Sequence, residues 1–115
     1  KDRVTAANSC RVVLNAIREK KGEYRGANPR DLVNWTNFFS WISTQNTAKW
    51  ATYLTEVDGS AALKTHTVTV SMYNTTTGAA AVTTDNPIEV HVVASWKDAK
   101  NRTMSVRMIS RITDR

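Results

Sequence analysis

Scarcity sets the first limits. The 115 residues include one cysteine, two histidines, two prolines and four glycines. A lone cysteine, Cys10, forms no internal disulfide, so the fold rests on its core and not on covalent staples. Four scattered glycines leave no P-loop, nucleophile elbow or Gly-rich phosphate cradle. His66 and His91 fall outside any Cys/His metal-ligand pattern. Among the ten acids, no pair is nominated for acid–base work by spacing. No run approaches the roughly 18 apolar residues of a membrane helix, and no secretory h-region is visible. The chain is therefore expected to be non-enzymatic, with no cofactor and no bound metal. It opens at Lys1 without a methionine, and a segment upstream of it is expected.

What is present fits one domain. Hydrophobic residues make up 41% and charged residues 23%, which is enough apolar material for a single modest core. The net charge is +6, unevenly placed. Residues 1–30 carry +5, residues 31–85 carry −2 and residues 86–115 carry +3. Basic ends around a slightly acidic middle are compatible with a polyanion partner or with a solvated surface.

Two periodicities divide the chain. Val4, Ala7, Cys10, Val13, Leu14 and Ile17 recur at helical spacing, which predicts a helix over 3–21. Lys20 and Lys21 suit its C-terminal end, Gly22 suits its stop, and Cys10 reads as a small buried hydrophobe. Asn28-Pro29-Arg30-Asp31 predicts a second helix start. Leu32, Trp35, Phe38, Phe39 and Ile42 form its core stripe, with Trp41 off the stripe and exposed. A short helix over 47–55 is expected to bury Ala48, Ala51 and Leu54. Asp58-Gly59-Ser60 reads as a turn. Beyond it the period becomes two, with strands expected over 65–73, 88–96 and 103–112 and a short edge strand over 80–83. His66, Val68, Val70 and Met72 are expected on an apolar face, and His91 on a polar one. The last two strands form a hairpin around a polar turn at 97–102. The fold class is α+β, an N-terminal helix packed on a C-terminal antiparallel sheet.

Three stretches then resemble one family. Val13-Leu14-Asn15-Ala16-Ile17-Arg18 looks like the exposed half of a pilin's long N-terminal helix. Trp50-Ala51-Thr52-Tyr53-Leu54, followed by Asp58-Gly59-Ser60-Ala61-Ala62, is similar to a helix end before a turn into the sheet. Val90 to Asp98 and Ser105 to Ile112 look like the closing hairpin, with its Ser-Trp-x-Asp ending. Together these resemble the soluble head of a type IV pilus minor pilin or a type II secretion minor pseudopilin. The single Cys10 departs from pilins that carry a C-terminal disulfide loop and points to the cysteine-poor minor subunits.

The resemblance implies a subunit that takes part in priming a filament and contacts other pilin or pseudopilin subunits. A missing N-terminal apolar helix would anchor it in the inner membrane. Its head would be periplasmic first and part of an extracellular filament later. The alternative is a binding module, at a filament tip or free, for DNA or another polyanion. In either case Lys97, Lys100, Arg102, Arg107 and Arg111 are the candidate contact residues. DNA binding is expected to be weak, about 10⁻⁴–10⁻⁶ M at physiological salt.

Overall fold

The computed structural model describes residues 2–27, 31–54 and 66–115. Helix α1 spans Asp2–Glu23, α2 spans Trp35–Thr44 and α3 spans Thr47–Ala51, the last running into a single 3₁₀ turn at Thr52–Leu54. Strands β1 (Thr67–Asn74), β2 (Ile88–Lys97) and β3 (Thr103–Ile112) form one antiparallel sheet in the order β1-β2-β3. This is the expected α+β arrangement of a long N-terminal helix on a C-terminal sheet. The turn expected at Asp58-Gly59-Ser60 lies outside the described residues, as do Thr55 and Thr65.

The sheet follows from its period-two pattern. Val68, Val70 and Met72 of β1 share the inner face with Ile88, Val90, Val92, Ala94 and Trp96 of β2. Met104, Val106, Met108 and Ile112 complete it from β3. Strand β2 is the middle strand, so even its outward residues are half-buried by neighbours on both sides. The hairpin turn at 98–102 is built on Asn101, whose φ of 62° places it in the left-handed region that asparagine tolerates. At the other connection the Asn74 side chain accepts from the N–H groups of Thr76 and Thr77, and Gly78 supplies a φ of 74°. The expected edge strand at 80–83 reduces to a single bridge between Tyr73 and Ala80.

Helix α1 lies over β2 and β3, and α3 lies against β1. The buried face of α1 is Ala6, Cys10, Val13, Leu14 and Ile17. It is rotated from the expected stripe: Val4 is 63% exposed, and Thr5 and Ser9 are buried instead. A hydroxyl can face a core when the helix itself satisfies it, and Ser9 Oγ donates to the Thr5 carbonyl at 3.0 Å. Small side chains let the helix sit close to the sheet. Cys10 Sγ lies 3.5 Å from the Val92 carbonyl oxygen and 3.6 Å from that of Val106. Burial pushes the Cys10 thiol above its ordinary pKa, which leaves little thiolate for chemistry.

The expected helix start at Asn28-Pro29 lies outside the described residues, and α2 begins at Trp35. Asp31 to Asn34 is not helical. The Val33 N–H donates to the Asp114 carbonyl and the Asn34 N–H to the Tyr24 carbonyl, so both are spent on tertiary contacts before a helix can use them. Asn34 is the N-cap, accepting from the Asn37 N–H. Leu32, expected in the core stripe, is 56% exposed as a consequence. Phe38, Phe39 and Ile42 are buried as expected. Trp41 is half-buried and not exposed, because it stacks on Phe38 and meets Trp50 edge-on.

In α3 the buried residue is Trp50, with Ala48 and Ala51 exposed. One short turn can turn only one side to the core. The side bearing an indole, followed four residues on by Leu54, removes far more apolar area from water than two alanine methyls. Asn34, Asn74 and Asn101 each open an N-x-S/T match, and all three serve as a cap or turn residue.

Candidate functional site

The five basic residues expected to form one contact surface are divided by the fold. Lys97, Lys100 and Arg102 gather at the hairpin turn, while Arg107 stands mid-strand on the open face of β3. Arg111 lies near the far end of β3, about 26 Å from Thr103 at the strand rise of roughly 3.3 Å per residue.

At the turn the Lys97 and Arg102 side chains are held by the protein itself. Lys97 Nζ donates to Thr103 Oγ1 at 2.8 Å. Asp98 Oδ1 accepts from the N–H groups of Lys100 and Arg102, both at 2.9 Å, and Oδ2 accepts from Arg102 Nε at 2.8 Å. These bonds, the Arg102 backbone N–H first, hold the Asp98 carboxyl below the usual carboxylate range. A lowered pKa contributes stability above the ordinary range that is lost as pH falls through the lowered value. Asp98→Asn is expected to reduce the melting temperature by a few degrees at neutral pH. The gap from the parent should close in strong acid, as followed by thermal melts over a pH series.

Arg111 has different company. It lines a cleft of about 400 Å³ with Arg18, Lys21 and Arg25, and Gly22, Ile112 and Thr113 complete the wall. Helix α1 presents Arg18 and Lys21 on the turn where it ends, and the return of β3 brings Arg111 alongside. Arg18 Nη2 donates to Ser110 Oγ at 2.8 Å, and Arg25 Nη1 donates to the Asp31 carbonyl at 2.9 Å. Lys21 is half-buried, and its ammonium is held below the usual lysine range. Burial is the main cause and Arg25 the second, with Asp114 acting in the opposite sense. Four cations in one cleft can hold an anion. Arg18, Lys21 and Arg25 were not among the expected residues, because nothing in the sequence joins segment 18–25 to residue 111.

A second polar group lies on the open sheet face. His91 Nε2 and Glu89 Oε1 are 2.7 Å apart, and the Tyr73 ring lies 4.4 Å from the imidazole. His91 is thus half-buried and engaged, not simply exposed. Two residues apart on a strand share a face, which is the signal in the sequence that pairs Glu89 with His91. Ser71 is the cross-strand neighbour of His91. Among the described residues no hydrogen bond joins its hydroxyl to the ring, so the nucleophile–base contact of hydrolytic sites is not formed. Among the described residues no group of three or more His, Cys, Asp or Glu could hold a metal ion, and no helix is long and apolar enough to cross a membrane.

In comparisons with known proteins, no family model, no curated protein and no solved structure matches this chain.

Proposed function

We propose that this chain is the head of a minor pilin-like subunit that takes part, without catalysis, in priming and assembling a type IV pilus or a type II secretion pseudopilus. The observation that supports this reading is the division of labour across the sheet. One long helix covers β2 and β3 from the inside, and on the outer face Thr67, Thr69, Ser71, Arg107 and Ile109 are exposed. That face carries Thr67, Thr69 and Ser71 on β1 and Arg107 and Ile109 on β3, and Arg111 follows them at the end of this edge strand, where it also borders the cleft. Ile109, on the edge strand β3 between Arg107 and Arg111, is 49% exposed. An exposed apolar side chain flanked by charges is the composition of a modest protein–protein contact. In this reading the subunit works first at the inner membrane with its head in the periplasm, then in the extracellular filament.

The test separates contact from folding. Arg107→Glu with Ile109→Asp is expected to melt within a few degrees of the parent, since both side chains are solvated. The double variant should reduce surface filaments several-fold, counted by electron microscopy in cells that carry it as their sole copy. Normal filament numbers in that strain, and in one lacking the gene altogether, would overturn the assembly reading. The rival reading, a module for DNA or another polyanion, draws its support from the basic cleft.

A further inference from the structure

From the cleft between the end of α1 and the end of β3 we infer a binding site for a compact phosphate-bearing anion, of the phosphate monoester or diphosphate class. Charge is the first observation. Arg18, Lys21 and Arg25 line one cavity of about 400 Å³, which Arg111 borders from the end of the edge strand β3, and this volume is in the range of small-molecule sites. Asp114 is the acid that acts on Lys21 there. The closing carbonyls of α1 add roughly half a negative charge, which the four cations far outweigh.

The second observation is readiness. Each guanidinium has five N–H donors. Arg18 gives one bond to Ser110 and Arg25 one to the Asp31 carbonyl, which fixes both groups and leaves most of their donors unused among the described residues. The cross-strand neighbour of Arg111 is Glu89, whose carboxylate is turned to His91. Among the described residues Arg111 has no ion pair.

The third observation is a cost that folding alone does not explain. The fold crowds Lys21 against Arg25 in a partly desolvated place, where like charges repel. Charge placed against stability is a mark of a binding site.

The donor set points to phosphate. One guanidinium fork satisfies a carboxylate, whereas three forks and an ammonium match the several oxygens of a phosphate dianion. The concave shape points to a compact ligand. A nucleic-acid track would need the cations in a continuous stripe, and the next cluster, Lys97, Lys100 and Arg102, stands at the far end of the hairpin.

The probe is inorganic pyrophosphate, titrated calorimetrically at low salt into the parent and its variants. It is expected to bind one to one and to raise the melting temperature. Arg111→Gln and Lys21→Gln should each weaken binding at least about tenfold, the equivalent of one lost charge-assisted hydrogen bond. Arg107→Gln, outside the cleft, should leave it unchanged. Without ligand, Lys21→Gln should melt at or above the parent, because the repulsion is relieved. A lysine included only for structure would instead lower the melting temperature. Equal pyrophosphate affinity in the parent and both cleft variants would overturn the site. So would an equal loss from Arg107→Gln, which would mean a diffuse field. Tighter binding of a short single-stranded oligonucleotide, weakened by Arg107→Gln and Lys100→Gln, would replace the proposal with a nucleic-acid surface.

Discussion

Replacing Trp96 by alanine is expected to cost about 3–5 kcal/mol, the range for removing a large aromatic side chain from a core. Trp96 is 4% exposed and closes the inner face of β2 opposite Met104. The space an indole leaves is hard to refill, because β2 is the middle strand, held in register by β1 as far as Ser95 and by β3 through Trp96 itself. A domain of this size has only about 5–15 kcal/mol of stability, so the loss should lower the melting temperature by roughly 10–20 °C. Trp96→Phe, which keeps a ring in place, should lose much less. Circular dichroism melts decide it: a Trp96→Ala protein that melts like the parent would remove Trp96 from the core. Under the assembly reading proposed above, the alanine variant should fail in filament priming through loss of folded protein and not through a lost contact.

Trp50→Ala should have a loss of similar size but a different reach. Trp50 is 2% exposed, meets Trp41 edge-on at 5.6 Å between ring centroids and lies 6.1 Å from Tyr53. It is the one buried residue of α3 and holds that short helix against β1. Helix α1 packs on β2 and β3 through a separate set of side chains. Hydrogen exchange is therefore expected to show protection lost first over 47–54 and β1, with α1 and β3 still protected. Equal loss in all elements would mean that the whole domain opens as one unit.

The legible part of this fold is the part with strong alternation. In β2 the apolar residues Ile88, Val90, Val92, Ala94 and Trp96 all point inward, as period two requires. Errors arose where small polar residues joined the core. Thr5 and Ser9 look like solvent residues by composition, yet back-bonding along the helix lets Ser9 face the sheet, and this turns the buried stripe of α1 away from Val4. The start of α2 at Trp35 has a second reason. Asn28-Pro29 is a good local start signal, but the Val33 and Asn34 N–H groups are claimed by residues 114 and 24. No local pattern shows a hydrogen bond to the other end of the chain. The cleft is illegible on the same ground. Closeness in sequence groups Arg111 with Lys97 and Lys100, whereas its companions are Arg18 and Lys21 of α1 and Arg25 just beyond it.

The contacts of Cys10 also set an order of events in folding. Its sulfur touches carbonyls 82 and 96 residues further along the chain, on β2 and β3. The two hairpins of the sheet close short loops and can form early, but α1 has no surface to rest on until both later strands exist. During synthesis or export, which release the N-terminus first, the small-residue face of α1 must wait unburied for nearly the whole chain to emerge. Thr113 to Arg115 then add the final tie, because the Asp114 carbonyl accepts the Val33 N–H and the Asp114 N–H reaches Asn86. A chain whose β3 has not yet emerged from the ribosome would thus have its sheet half made and α1 undocked, in the state most open to a chaperone or a protease.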